Sequence, residues 1–141
     1  MYIIICLDDN NGLAFNHRRQ SQDRIVAEDI RKTVGEKKLW ITDYSRKLFQ
    51  AVSNLEISEN PKEEAKEGEY VFQELETLNT GDERIEQFII YRWNRVYPAD
   101  VSVEIGAEWK LTETEEFSVL PHCLTLTKQF SFCFFYFYSL Q

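Results

Sequence analysis

The chain opens on an unbroken apolar run, Tyr2-Ile3-Ile4-Ile5-Cys6-Leu7, which passes directly into Asp8-Asp9-Asn10-Asn11-Gly12. A short apolar run, rich in β-branched residues and closed by turn formers, predicts a strand buried on both faces and then a tight turn. Leu13-Ala14-Phe15 is a second short extended stretch, and residues 16–19 are polar and basic. The period then changes. Ile25, Val26, Ile30 and Val34 recur at helical spacing and mark one buried stripe. Ser21 stands at a capping position, Asp23 falls in the first turn where the helix dipole favours an acid, and Gly35 suits the exit. A helix is expected over about 21–34.

Leu39-Trp40-Ile41 reads as a second strand. Thr42 or Asp43 can cap a second helix over 44–52 that turns Leu48 and Phe49 inward. Residues 53–69 are dominated by Glu56, Glu59, Glu63, Glu64, Glu67 and Glu69 around Pro61, the pattern of a mobile solvated loop with at most one helical turn. Tyr70-Val71-Phe72 is a third strand, and 75–82 is loop-like. Strand formers crowd 84–97, Pro98-Ala99-Asp100 breaks the run, and Val101, Val103 and Ile105 alternate with Ser102 and Glu104 as in a half-buried strand. Trp109 to Thr112 suggests one more short strand. Residues 130–138 hold five of the ten phenylalanines, so this tail has no polar face. It is either a strand packed into the sheet or a non-native terminus produced by a change of reading frame. If exposed, it would drive self-association.

Strands alternating with helices early, then strands in succession, predict an α/β protein with a mixed sheet and flanking helices. A length of 141 residues with 43% apolar and 28% charged residues fits one globular domain, placed at 1–128 with an aromatic tail at 129–141. The net charge of −8 argues against nucleic-acid and anionic-membrane partners. Only two histidines and three cysteines are present, too few for a four-cysteine zinc site, and the odd, loosely spaced cysteines suggest reduced thiols in the cytoplasm. The longest apolar run is far shorter than the roughly 20 residues a membrane helix requires.

The order of elements resembles the dihydrofolate reductase fold. The first strand with Asp8-Asp9-Asn10-Asn11-Gly12 is similar to that family's strand and active-site loop, and Glu28-Asp29-Ile30 to its acidic helix motif. Leu39 to Ser45 falls at its second strand and following helix. The stretch from Ile85 through Pro98-Ala99-Asp100 to Ile105, with Glu108-Trp109-Lys110-Leu111 and Glu115-Glu116-Phe117, resembles its later strands. The resemblance implies an Asp29 carboxylate that binds the amino and ring nitrogens of a heterocycle or assists protonation. It also implies a place for cofactor phosphates, but there the family's Gly-Arg is Thr42-Asp43 and its Gly-Gly turn is missing. An acid at 43 repels phosphate, so no nicotinamide cofactor and no redox reaction are expected.

Leu7-Asp8-Asp9-Asn10-Asn11-Gly12, residues 15–21 and residues 91–100 are also similar to short bacterial proteins labelled ribonuclease Z, over most of 1–117. The zinc chemistry behind that label needs a His-x-His-x-Asp-His cluster, which His17 and His122 do not form.

Four groups of residues are candidates. Asp29 borders the buried helical stripe, with Glu28 beside it; the alternative is a surface carboxylate near Arg31 or Lys32. Asn16-His17-Arg18-Arg19-Gln20-Ser21 precedes a helix start and suits an anion, or is a solvated basic loop. On a strand, Arg92 and Asn94 share one face and Trp93 and Arg95 the other, a place for ring stacking or for simple ion pairs. Asp8-Asp9 with Asp100 or Glu104 could hold Mg²⁺, but reads better as a turn. Cys6 is expected to be buried and inert. The expected ligand-binding set is Asp9, Asn11, Asn16, Arg18, Arg19, Asp29, Ser45 and Arg92, with Asp29 as the catalytic candidate and no metal. The reading is a cytoplasmic, non-redox domain that binds a nucleotide- or pterin-like molecule between residues 9–16 and Asp29. An enzyme of nucleotide or RNA metabolism and a protein-interaction module are the alternatives.

Overall fold

The structure, a computed structural model, describes residues 1–20, 24–119 and 124–133. Strand β1 (Tyr2–Leu7) is the centre of a seven-stranded sheet. Its side chains alternate between two cores: Ile4 packs with one set, and Ile3, Ile5 and Leu7 with the other. Both neighbours of β1 run parallel to it, β6 (Tyr70–Gln73) on one side and β7 (Gln87–Arg92) on the other. Beyond β6 lie β4 (Leu39–Ile41) and β5 (Leu55–Ile57), also parallel. Beyond β7 come β10 (Leu124–Cys133) and then β9 (Trp109–Val119), both pairings antiparallel. The order is β5-β4-β6-β1-β7-β10-β9. A three-stranded ribbon of β2 (Gly12–Phe15), β3 (Arg18–Arg19) and β8 (Val101–Ser102) completes the architecture.

Helix α1 (Arg24–Val34) lays Val26, Ile30 and Val34 on one face of the sheet, against Ile4, Phe72, Ile89 and Tyr91. Gly35 follows at φ +59°, where its amide closes the last turn by donating to the Arg31 carbonyl at 3.0 Å. The expected capping residues Ser21 and Asp23 lie outside the described residues. The opposite core collects Met1, Leu13, Phe88, Val103 and Trp109, with Trp109 edge-on to Phe88 at 4.5 Å.

Several expectations need correction. The second helix is a 3-10 turn over Asp43–Ser45, followed by irregular turns. Its hydrogen bonds close three residues back, from Ser45 to Thr42 and from Leu48 to Ser45, because Ser45 is drawn into the interior. Leu48 and Phe49 still face inward. The acid-rich stretch contains β5 and a single helical turn, α2 (Pro61–Glu64). Strand β7 is shorter than the run of strand formers: Ile85 closes a turn onto Asp82, and Asn94 takes a left-handed conformation at φ 55°. Asn94 therefore does not share a strand face with Arg92. Strand β9 extends well past Thr112, as an edge strand whose exposed Thr and Glu residues carry no apolar rhythm. Of the aromatic tail, residues 129–133 belong to β10, which sets Phe130 and Ser131 opposite Ile89 and Phe88, as in the strand reading; residues 134–141 lie outside the described residues. Among the described residues, no helix is long and apolar enough to cross a membrane.

The turn after β1 is organised by Asp8, whose side chain is buried. Its Oδ1 accepts the amides of Asn10 and Gly12, both at 2.8 Å; its Oδ2 accepts the Tyr97 amide at 3.0 Å and the Gln20 Nε2 at 3.1 Å. A Cβ at Gly12 would lie 2.9 Å from Asp8 Oδ2 and 2.8 Å from Ala99 Cβ, so only glycine fits. Burial raises the Asp8 pKa, but the backbone donors of Tyr97, Gly12 and Asn10 and the Gln20 amide outweigh it and leave it below the usual carboxylate range.

Two outcomes follow. Asp8→Asn puts an amide NH₂ against N–H donors and should cost about 2–3 kcal/mol in urea unfolding. Because the folded pKa is lowered, the Asp8 contribution is complete above the unfolded value of about 4 and fades as pH falls through the folded one; the mutant should lack that acid-side loss. Truncation after Lys128 removes the half of β10 that pairs with Phe88 and Ile89. The truncated chain should lose its cooperative thermal transition in circular dichroism.

Candidate functional site

Three hollows meet around one buried ion pair. Arg19, on β3, donates Nε to Glu74 Oε2 at 3.0 Å and Nη2 to Ser45 Oγ at 3.2 Å. The Ser45 hydroxyl in turn donates to Glu74 Oε1. The Arg19 guanidinium lies 4.4 Å from the centre of the Tyr44 ring. Glu74 follows directly on β6, at the carboxyl end of a parallel strand, where open α/β sheets leave room for ligands. Its side chain is only 6% exposed. Burial raises its pKa, and Arg19 pulls against that rise.

The inner hollow is a cavity of about 20 Å³ bounded by Cys6, Leu13, Gln20, Phe49, Arg19 and Glu74. That is room for a water molecule, and the buried Gln20 Oε1 has no hydrogen-bond partner among the described residues. Burial pushes the Cys6 thiol up to about 12, so it is uncharged. Outward from Arg19, a groove of about 510 Å³ runs between α1 and the 43–52 segment. Arg19, Arg24, Arg31 and Lys47 line it, with Glu28 as the acid. Glu28 is paired with Arg31, which lowers its pKa. The half-exposed Tyr44 ring stands at the end shared with the third hollow.

That third hollow, about 580 Å³, lies at the carboxyl ends of β5, β4 and β6. Its charged lining is Asp43, Glu59, Glu63, Glu74 and Glu76 against Lys62. A dinucleotide pyrophosphate placed there would face several carboxylates and one ammonium, a repulsive arrangement.

The remaining expected residues are placed as follows. Asp29 does not border these hollows. Its Oδ2 accepts the Tyr91 hydroxyl at 2.5 Å and the Lys128 ammonium at 2.7 Å. Lys128 also donates to Thr33 Oγ1 at 2.8 Å. Burial and the Asp29 carboxylate push the Tyr91 phenol above its ordinary pKa. Arg92 bridges the Asp8 carbonyl at 3.0 Å and Gln129 Oε1 at 3.0 Å, and burial lowers its pKa. Asp9, Asn11 and Asn16 belong to the turns around β2: the Asp9 amide donates to the Arg95 carbonyl, Asn11 has φ 59°, and the Asn16 amide donates to Asp100 Oδ2. Arg18 is exposed on β3. Of the expected set, the structure brings Arg19 and Ser45 together. Among the described residues, no three His, Cys, Asp or Glu side chains converge as a metal would require.

Glu74, Tyr44 and Lys128 are the participants that sequence reasoning missed. Glu74 had a signal: an acid close behind the apolar run Tyr70-Val71-Phe72. Lys128 had a weaker one, a charge in a stretch where Leu124, Leu126 and Phe130 fall at even spacing, on the same side of an extended chain.

This sheet order, a helix packed across β1 and hollows at the carboxyl edge define a dihydrofolate-reductase-like α/β fold. The chain is similar in structure to the dihydrofolate reductase from Enterococcus faecalis complexed with NADP(H) and RAB-propyl, with a TM-score of 0.61 over 94% of this chain and 95% of that one. Sequence identity is 8%, so the likeness is one of fold. No family model matches the chain, and no curated protein matches it in sequence.

Lys128 is 5% exposed and Asp29 21%, which places their pair between the surface and buried regimes. Lys128→Met should cost about 2 kcal/mol, because it strands the carboxylate. Adding Asp29→Leu should recover part of that loss, as read by chemical denaturation.

Proposed function

We propose that this chain is a non-redox ligand-binding domain whose ligand, nucleotide- or pterin-like and anionic, lies in the groove between α1 and the 43–52 segment. One observation carries the reading. A chain of net charge −8 gathers Arg19, Arg24, Arg31 and Lys47 around one groove; among the described residues that line it Glu28 is the one acid, Arg31 is paired with it and Arg19 with Glu74, which leaves Arg24 and Lys47 as the excess positive charge. Such a convergence against the overall charge attracts an anion and raises its local concentration. Tyr44, with Arg19 against its ring, offers a flat apolar surface for an aromatic ring beside that charge. Arg19 and Ser45 belong to the site, and Arg18 lies near it in sequence. The acid-lined hollow supports the absence of hydride transfer, since it disfavours the phosphates of a nicotinamide cofactor. The odd number of cysteines and the inert Cys6 thiol agree with a cytoplasmic setting.

The test is a thermal-shift and calorimetric panel of ATP, GTP, folate and NADPH. A ligand at about 100 times its Kd adds roughly 2.7 kcal/mol of apparent stability. We expect a nucleotide or folate to give such a shift, and Arg24→Glu with Lys47→Glu to abolish it. Binding untouched by that charge reversal would overturn the groove assignment. Oxidation of NADPH in the presence of dihydrofolate would overturn the non-redox reading.

A further inference from the structure

We infer that an anion entering the basic groove is bound together with a proton, and that Glu74 is the group that takes it. The inference rests on the groove reading above and names the residue that tunes it. Arg19 is shared between the groove and the inner cavity, whereas Glu74 is shared between the inner cavity and the acidic hollow. The two are in contact at 3.0 Å, so an ionised Glu74 cancels most of the field that Arg19 projects into the groove. A neutral Glu74 no longer offsets the guanidinium charge, while its carbonyl oxygen still accepts from Arg19. An anion in the groove therefore favours the neutral carboxyl, and the neutral carboxyl favours the anion.

The surroundings permit this exchange. Glu74 is nearly sealed from solvent, and burial already raises its proton affinity. From β1 it faces Cys6, which is uncharged. Among the described residues of α1, Val26, Ala27 and Ile30 reach the cavity, and none of them carries a charge. From the 3-10 turn it meets the Ser45 hydroxyl, and Asp43 beyond it is paired with Arg46. On the side of the acidic hollow stand Glu76, Glu59, Glu63 and Lys62, whose charges are common to both states. Glu74 is thus a positioning residue: it acts on the ligand through Arg19 and sets the pH profile of binding.

The experiment follows the carboxyl carbon of Glu74 by ¹³C NMR across a pH series, with and without sulfate, whose own charge does not change near neutrality. Amide shifts of Arg24 and Lys47 report sulfate occupancy in the same samples. We expect the Glu74 midpoint to rise with sulfate, and sulfate affinity to fall by up to about tenfold per pH unit between the two midpoints. In Glu74→Gln, which preserves an oxygen acceptor for Arg19, affinity should be higher at alkaline pH and its profile flat. Sulfate that occupies the groove without moving the Glu74 midpoint overturns the proton linkage and leaves the groove standing. A pH profile unchanged in Glu74→Gln does the same. Amides of Arg24 and Lys47 that ignore sulfate overturn the groove reading and the linkage with it.

Discussion

One buried carboxylate holds the working edge of the sheet in place. Asp8 ends the central strand and accepts four N–H donors, from Asn10, Gly12, Gln20 and Tyr97. These come from three separate stretches of chain: the turn after β1, the end of β3 and the loop after β7. A carboxylate withdrawn from water is costly unless its oxygens are fully engaged, and here that requirement fixes the relative position of the stretches. Gln20 is held next to Arg19, so the guanidinium reaches Ser45 and Glu74 from an anchored ribbon.

The second organising feature is the division of charge around the 3-10 turn. On one side lies a groove of arginines and lysine, on the other a hollow of carboxylates, and Tyr44 borders both. Arg19 and Glu74 meet between them. A buried ion pair is weak evidence for stability, but it is an effective way to keep opposite fields a few residues apart without their collapsing onto one another. The fold places this boundary at the carboxyl ends of parallel strands, where side chains converge without filling the sheet.

Much of this architecture was legible in the residues. The two-faced burial of Ile3, Ile4 and Ile5, the stripe of Val26, Ile30 and Val34, and the alternation of Val103 with its neighbours are all local patterns with one good solution. What was not legible depended on partners far along the chain. The 44–52 segment has the composition of a helix, yet Ser45 is drawn to Glu74, twenty-nine positions away, and the turn tightens. Strand formers from 84 to 97 hide the left-handed Asn94 that lets Tyr97 reach Asp8. Asp29 looked like a ligand carboxylate because Glu28-Asp29-Ile30 resembles an acidic helix motif at the border of the buried stripe; the partner it takes, Lys128, comes from β10, far along the chain. Arg19 and Ser45 were identified individually, but their meeting point, Glu74, became visible only once the strands were ordered.

The position of β10 has a consequence for how the chain is made. This strand lies between β7 and β9, yet it follows both in the sequence. During synthesis β7 is complete long before its antiparallel partner emerges. Until then it offers an unpaired edge flanked by Phe88, Ile89 and Ile90, the kind of surface on which nascent chains associate wrongly. The sheet can close only by a late, long-range insertion, whose loop-closure entropy makes it slow. Such a chain is most open to wrong association until β10 has been made, and the same insertion delivers Lys128 to Asp29.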